Sequence, residues 1–247
     1  MAKVGDLKVA WSRELPAEPS SVTVVKTVTG KYYASFVVAV DDGAELLEPL
    51  GDPDAETGID LGLKSFAVLR GGKVIESPKF LRTMERRLKK ARRSLSRRQR
   101  GGKNRQKARP ALARLHEKAR NQRDDWLNKQ VKALVSENRA LYVEELHVAG
   151  PAKSRMAKSV QDAAFGMFLS RLEAKTRRAG RTFVKIDRYF PSTRLCSACG
   201  ALTGPKGLDG LGIRRWECGA FHDRDANAEI DIRREGRRLV AAGHADT

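Results

Sequence analysis

The segment from residue 82 to residue 123 is the feature of this sequence that most limits how the chain can fold. It carries eighteen Lys or Arg side chains against two acidic ones, Glu85 and Glu117. Apolar residues recur in it at helical spacing, and the stretch RGGKN at 100–104 interrupts that pattern. Like charges one helical turn apart repel each other unless an anion compensates them. The segment therefore predicts a hairpin of two basic helices that faces a polyanion.

The charge of the whole chain points to the same class of partner. Its 247 residues have a formal net charge of +19, far more than solubility requires, so nucleic acid is the first partner to consider. No stretch approaches the roughly eighteen apolar residues of a membrane span. The opening residues MAKVGDLKVA also lack the apolar core of a signal peptide. We therefore expect a cytoplasmic, nucleoid-associated protein with no membrane partner.

Strand-like and helix-like segments alternate on both sides of the basic helices. Residues 9–40 are rich in Val, Thr and Tyr around a turn signal at Thr29-Gly30, which predicts a β-hairpin. An acidic, Pro-containing linker at 41–56 precedes a new sheet, whose first two strands are joined through Gly71-Gly72. The other predicted elements are strands at 139–148 and 181–190, an amphipathic helix that ends at Gly180, and a final helix from residue 225.

Three carboxylates stand where an unpaired acid is unfavourable. Asp60 lies inside an apolar strand between Gly58 and Gly62, Glu144 ends a strand of buried character, and Asp225 heads the last helix. A lone buried carboxylate either becomes neutral or needs a compensating Arg or metal ion. Taken singly, Glu144 also fits a solvated strand end and Asp225 a helix N-cap. Together they favour phosphodiester hydrolysis, which commonly uses two divalent ions held by carboxylate oxygens, and the glycines beside Asp60 would leave room for a phosphate.

Four motifs are similar to those of the TnpB family, also called OrfB-type transposases, which are transposon-encoded RNA-guided nucleases related to type V CRISPR effectors. The stretch GIDLGLKSFAVL resembles the first segment of a RuvC-like nuclease, LYVEELHVAG resembles the second, and HDRDANAEIDI the third. The stretch DRYFPSTRLCSACG looks like the start of the family's inserted zinc ribbon. The resemblance extends over about residues 6–237.

The resemblance implies an α/β fold with an RNase H-like (RuvC) nuclease core. A basic helical hairpin and a zinc-ribbon-like insert would interrupt the core, and a small β-barrel-like wedge segment would precede it. The implied domains are a partial wedge-like β domain at 1–50, RuvC-like segments I and II at 57–195 with inserted basic helices at 81–138, a zinc-ribbon-like insert at 196–221, and segment III with the C-terminal helix at 222–247.

The resemblance also implies a site and its partners. Asp60, Glu144 and Asp225 would be the catalytic residues and would bind two Mg²⁺ ions, and the motif's register selects Glu144 over Glu145. The family cuts DNA that has been selected by base pairing to a guide RNA, so guide RNA and target DNA are the implied partners. RNA–DNA duplexes are held through their phosphates and shape. The implied nucleic-acid contacts are Arg86, Arg87, Lys89, Lys90, Arg93, Arg97, Arg98, Lys103 and Arg105.

The chain departs from the family pattern at its cysteines. The stretch WECGAFHDRD has one cysteine fewer than the family motif, so Cys196, Cys199 and Cys218 supply three of the four ligands that structural zinc needs. His222 could complete a Cys3His site for Zn²⁺, or it could be a bystander beside the acids. A ribbon that has lost its metal is a third alternative.

The second departure concerns the N-terminal side, where the family's longer wedge and recognition regions are not visible before Val9. A reduced member, a decayed remnant or a fragment would each fit. The leading hypothesis is an RNA-guided, Mg²⁺-dependent DNA endonuclease. The alternatives are a nuclease-inactive or reduced relative that binds RNA and DNA as a repressor, and a general basic nucleic-acid-binding protein. The three intact acids argue against the first alternative, and the burial of the acids against the second.

Overall fold

The computed structural model describes residues 8–12, 14–39, 46–62, 64–145, 164–204 and 212–243. They belong to two compact units. One unit comprises Met1–Ala44 and Met84–Arg120, and the other comprises Glu45–Thr83 and Asn121–Thr247. Within these ranges, no helix combines the length and the apolar character needed to cross a membrane.

The described residues form nine strands, four α-helices and one short 3₁₀ turn at Arg70–Gly72. The strands are β1 Pro19–Lys26, β2 Tyr32–Val38, β3 Glu56–Leu61, β4 Ala67–Val68, β5 Val74–Ile75, β6 Ala140–Glu144, β7 Thr182–Ile186, β8 Ile213–Arg215 and β9 Phe221–Asp223. The helices are α1 Phe80–Ser96, α2 Lys103–Glu137, α3 Phe165–Arg178 and α4 Arg224–Ala241. The predicted interruption of the basic segment is confirmed, since it falls between α1 and α2.

The first unit contains the predicted β-hairpin. β1 and β2 pair antiparallel, with Val24 opposite Ala34. The Gly30 N–H donates to the Thr27 carbonyl at 3.0 Å, and Gly30 has a φ of +86°, which glycine adopts without strain. Of the predicted domain at 1–50, residues 1–7, 13 and 40–45 lie outside the described residues, and those described before residue 40 form these two strands alone.

The second unit contains a five-stranded mixed sheet in the order β5-β4-β3-β6-β7. The central strands β3, β6 and β7 run parallel, and β4 and β5 are antiparallel to their neighbours. Gly58 of β3 lies opposite Tyr142 of β6, and Glu144 of β6 lies opposite Ile186 of β7. The predicted α/β class is therefore confirmed, and the parallel strands end at one edge of the sheet.

Alternate residues of β6 contact helices on opposite faces of the sheet, as the two-residue period of a strand requires. Leu141 and Val143 are fully buried in a cluster with Phe168 of α3. Tyr142 packs on the other face with Ile232 of α4. A sheet covered on both faces is typical of parallel strands. The layers fix the positions of the strand ends and of the α4 N-terminus.

Helix α4 packs so closely on β3 that only glycine fits at position 58. A β-carbon on Gly58 would lie 2.3 Å from the Glu229 carbonyl oxygen and 3.1 Å from the Arg233 backbone nitrogen. The Gly58 N–H also donates to Glu229 Oε1 at 3.0 Å. The prediction that this glycine leaves room for a phosphate is therefore wrong, because the helix occupies the space. Gly58 instead sets the distance between β3 and α4.

Gly58→Ala is expected to destabilise the second unit by about 3 kcal/mol, because the clash is with backbone that side-chain rotation cannot relieve. The melting temperature should fall by roughly 6–12 °C, measured by circular dichroism. Gly166→Ala is the matched control, since a β-carbon on that helical glycine meets nothing within 4 Å and should slightly stabilise α3. Equal melting temperatures for the two variants would contradict the packing argument.

Candidate functional site

The sheet brings Asp60 and Glu144 together. Ile59 of β3 pairs with Val143 of the parallel neighbour β6, so the next residues along both strands, Asp60 and Glu144, lie side by side. They sit at the edge of the sheet where the parallel strands end, the place where open α/β sheets commonly bind ligands. The burial of Ile59 and Val143 anchors both carboxylates to a rigid core.

Helix α4 brings the third acid to the same edge. Its N-cap is Asp223, whose Oδ1 accepts from the backbone N–H groups of Asp225 and Ala226, both at 3.1 Å. The N-cap alternative for Asp225 is therefore wrong, since Asp223 is the residue that caps the helix. Arg224 Nε lies 3.2 Å from Asp225 Oδ1 and partly neutralises it.

The pKa of Asp60 reflects its burial and the nearby charges of the other two acids. Burial, followed by the negative charges of Glu144 and Asp225, raises the pKa of Asp60 from 3.8 to about 7. Burial also raises the pKa of Glu144, and a hydrogen bond from the Ser192 hydroxyl to Glu144 Oε1 opposes that rise. A divalent cation would relieve both the burial penalty and the mutual repulsion.

The three acids do not form one tight set of ligand atoms. Among the described residues, the only set of three or more ligand atoms within 4.8 Å of one another is made by cysteines, so the three carboxylates are more widely spread. Asp60, Glu144 and Asp225 could hold two divalent ions more readily than one ion shared by all three, and Mg²⁺ prefers such carboxylate oxygens.

The cysteine cluster is built by two tight turns. In the first, Cys196 exchanges backbone hydrogen bonds with Ala201 and Gly200 at 2.9 and 2.8 Å, and in the second Trp216 does so with Ala220 and Gly219, both at 2.8 Å. The turns bring together three free thiols, those of Cys196, Cys199 and Cys218.

The thiol geometry fits a tetrahedral metal. Cys196 Sγ and Cys218 Sγ are 3.5 Å apart, close to the roughly 3.8 Å that Zn–S bonds of about 2.3 Å give in a tetrahedron. His222 Nε2 also lies 3.5 Å from Cys196 Sγ. Its ring meets the Trp216 indole edge to face, at 5.4 Å between centroids. The thiols can therefore hold a metal ion, and His222 lies at the side of the cluster as a neighbour of Cys196.

The basic helix α1 presents a groove in the first unit. A cavity of about 580 Å³ is lined by Arg86, Lys89, Lys90, Arg93, Ser94, Arg97 and Arg98. Six of the nine predicted nucleic-acid contacts therefore share one groove, and Arg87, Lys103 and Arg105 do not line it. A row of cations along one helix face is suited to phosphates.

Two of the predicted contacts also hold the turn between α1 and α2. Arg105 Nη1 donates to the carbonyls of Leu95 and Arg98 at 2.8 and 3.2 Å, and Arg98 Nη1 donates to the Asn104 carbonyl at 2.6 Å. Their guanidinium groups therefore have a structural role that the sequence did not indicate.

Ser192 is a site residue that the sequence analysis missed. It is 2% exposed, and its hydroxyl is the hydrogen-bond donor to Glu144. The contact spans 48 residues of chain. The sole local signal was a polar residue within the stretch YFPST, which is too common to indicate a role.

Two family models match the chain. The model OrfB_IS605, described as "Probable transposase", matches residues 35–155, and the model "Cas12f1-like, TNB domain" matches residues 165–232. Together they cover both the strand of Asp60 and the start of α4.

Two curated relatives match nearly the whole chain. "Putative RNA-guided DNA endonuclease" from Streptomyces pristinaespiralis is 38% identical in an alignment of 249 positions that covers 98% of this chain and 60% of that protein. "Putative RNA-guided DNA endonuclease InsQ" from Escherichia coli K12 is 25% identical over 261 residues, 99% of this chain and 62% of that protein. The chain thus spans about three fifths of the length of these relatives.

A solved structure shares the fold. The Cas12f1 chain of "Cryo-EM structure of the Cas12f1-sgRNA-target DNA complex" superposes with a TM-score of 0.51 at 16% identity, over 82% of this chain and 52% of that chain. The family models and the curated relatives agree with one another, and this protein belongs to the OrfB-type transposase family, also called TnpB.

Proposed function

We propose that this protein is an RNA-guided, metal-dependent DNA endonuclease with a RuvC-like active site. The observation that carries the proposal is the placement of Asp60 beside Glu144 at the ends of the parallel strands β3 and β6, with Asp225 near enough to raise the pKa of Asp60. Divalent cations would offset the burial penalty and the repulsion among these acids, and carboxylates from separate segments are the usual ligands in two-metal phosphodiester hydrolysis. The choice of substrate and guide is supported by relatives named as RNA-guided DNA endonucleases and by a neighbour solved with sgRNA and target DNA.

Each part of the chain has a role in the proposed nuclease. The sheet with its helices is the RNase H-like core, in which β3 carries segment I, β6 segment II and α4 segment III. The basic helices within 81–138 would hold the RNA–DNA duplex by its phosphates, and the hairpin within 1–50 would be part of a wedge-like domain. Residues 196–221 would form a zinc-ribbon-like insert held by Cys196, Cys199 and Cys218, with His222 as the candidate fourth ligand.

Asp60, Glu144 and Asp225 would together hold two Mg²⁺ ions. Bound Mg²⁺ supplies activation of the attacking water and stabilisation of the leaving oxygen. Asp60 must lose its proton before it can act as a ligand, since metals bind the carboxylate form. Ser192 orients the Glu144 carboxylate, and Arg224 orients that of Asp225.

The test is a cleavage assay with purified protein, RNA transcribed from the DNA that flanks its gene, and matching DNA. Cleavage is expected with Mg²⁺ and matched RNA, and none with Mg²⁺ omitted or with random RNA at the same salt. Omitting Mg²⁺ is preferable to adding EDTA, because EDTA would also remove metal from the cysteines. Salt is held constant because phosphate contacts make affinity steeply salt-dependent.

Two outcomes would replace the proposal with an alternative. Matched RNA and DNA that bind tightly but stay uncut at every Mg²⁺ concentration would favour the repressor. Equal affinity for flanking and random RNA would favour a general nucleic-acid-binding protein.

A further inference from the structure

The buried amide of Asn227 connects the acid site with the cysteine cluster. Asn227 is 1% exposed and lies on α4, two residues after Asp225. Its Nδ2 donates to the Leu195 carbonyl at 2.7 Å, and its Oδ1 accepts from the Ser197 N–H at 2.9 Å. One side chain thus forms hydrogen bonds with the backbone on both sides of Cys196.

The same amide reaches the residue that holds Glu144. Asn227 Nδ2 lies 3.4 Å from the Ser192 carbonyl, and the Ser192 hydroxyl donates to Glu144 Oε1. The segment 192–197 therefore has a catalytic carboxylate bound at one end and a thiol of the cluster at the other. Asn227 fixes this segment to α4 together with Arg234, whose Nη1 donates to the Ser197 carbonyl.

Asp231 fixes the orientation of the amide. It lies one turn further along α4, is 2% exposed, and its Oδ2 accepts from Asn227 Nδ2 at 3.1 Å. Asn is well suited to position 227 because it offers donors and an acceptor at once, whereas Asp would offer acceptors only. A buried network of this kind holds one geometry only when every member is satisfied.

We propose that Asn227 and Ser192 are positioning residues that hold Glu144 for metal binding and make its position depend on an intact cysteine cluster. The inference rests on the proposed function, because it concerns the same acid site. Removing a hydrogen bond that orients a metal-binding side chain usually lowers metal affinity or activity by about 10–100-fold.

Ser192→Ala tests the first half of the proposal. Mn²⁺ serves as the probe, since it shares the oxygen-ligand preference of Mg²⁺, and its binding is followed by electron paramagnetic resonance at a site that Asp60→Asn abolishes. Ser192→Ala is expected to weaken Mn²⁺ binding about tenfold and to raise the Mg²⁺ concentration for half-maximal cleavage by the same factor. Saturating Mg²⁺ should restore most of the cleavage, and the metal content of the cysteine cluster should not change.

Thr176→Val is the matched control. Thr176 is fully buried on α3, and its hydroxyl donates to the Leu172 carbonyl at 2.6 Å, away from the acids. It should lower the melting temperature about as much as Ser192→Ala while leaving Mn²⁺ affinity unchanged. If both variants shift Mn²⁺ affinity equally, or neither does, Ser192 has a structural role only and the proposal fails.

Asn227→Asp tests the coupling. It keeps the shape of the side chain but removes both Nδ2 donors, so it should weaken Mn²⁺ binding about tenfold. Removing the metal from the cysteine cluster of the wild-type protein should weaken Mn²⁺ binding by a similar factor. Removing it from Asn227→Asp should weaken Mn²⁺ binding little further, because both changes release the same segment. Additive effects would overturn the coupling. Because Mn²⁺ affinity is measured without nucleic acid, these results stand even if the protein cuts no DNA.

Discussion

Asp60→Asn is expected to abolish DNA cleavage while making the metal-free protein more stable above pH 7. Cleavage should fall by at least about a thousandfold, equivalent to roughly 4 kcal/mol of transition-state stabilisation. The amide keeps the volume of the carboxylate but cannot serve as an anionic ligand between two ions. It also removes a charge that is unfavourable at this position, because burial, Glu144 and Asp225 all oppose ionisation of Asp60.

The stability effect has a defined pH window. The pKa of Asp60 is about 7 in the folded chain against 3.8 as the model value. Between these pH values the folded state binds more protons than the unfolded state, so the stability of the metal-free wild type falls as pH rises from about 4 to 7. Asp60→Asn does not lose stability in this way, because its amide does not ionise. Each pKa unit corresponds to about 1.4 kcal/mol, so we expect the variant to exceed the wild type by about 4 kcal/mol at pH 8 and to match it at pH 4.

Urea denaturation in Mg²⁺-free buffer at both pH values measures this difference. Asp125→Asn is the control, because Asp125 is an exposed carboxylate that pairs with Lys129 one helical turn away, and its effect should stay within about 0.5 kcal/mol at either pH. Adding Mg²⁺ at pH 8 should stabilise the wild type and leave Asp60→Asn unchanged. A variant that is no more stable than the wild type at pH 8 would show that burial and the neighbouring acids do not oppose ionisation of Asp60.

The sequence was sufficient to predict the elements that carry the acids. An acid inside an apolar strand is unusual enough that Asp60 stands out without a structure, and the alternation in β6 follows from its run of apolar residues. The adjacency of Asp60 and Glu144 could not be predicted in this way, because it depends on β3 pairing in parallel with a strand whose paired residues lie 84 positions later. The expectation that these two acids share one site came from the resemblance of their motifs to a known family. The periodicity of apolar residues does not show which strands pair.

What could not be predicted depends on contacts between distant segments. Nothing local distinguishes Asp223 from Asp225 as the cap of α4, because both precede the same helix and the choice depends on where the chain leaves β9. The role of Gly58 depends on a helix 171 residues further on. Ser192 and Asn227 are ordinary polar residues until packing buries them. Side chains that contribute by position rather than by unusual chemistry leave little trace in a single sequence.

Cys196→Ser is expected to release the metal from the cysteine cluster and to unfold the segment around it. Structural zinc sites contribute roughly 10 kcal/mol or more to the folding of small domains, because the site does not exist in the unfolded chain. In its described parts, 196–204 and 212–221, the buried hydrophobic residues are Cys196 and Trp216, which are 0% and 4% exposed, so we expect the segment to depend strongly on the metal. Zinc content by mass spectrometry should fall from about one equivalent to none, and proteolysis should cut between residues 196 and 221.

His222→Ala distinguishes a Cys3His site from a cluster of three thiols. His222 lies within 3.5 Å of Cys196 Sγ, so as a fourth ligand it should raise the zinc dissociation constant by about a hundredfold when removed, as the loss of one zinc bond implies. His116→Ala, at an exposed position of α2, controls for the loss of an imidazole and should leave zinc affinity unchanged. If His222→Ala keeps the wild-type affinity in a chelator competition, His222 is the bystander and water or another donor fills the fourth position. In that case Asp223 and Asp225 should still keep their places, because Asp223 caps α4 through backbone N–H groups that do not involve the imidazole.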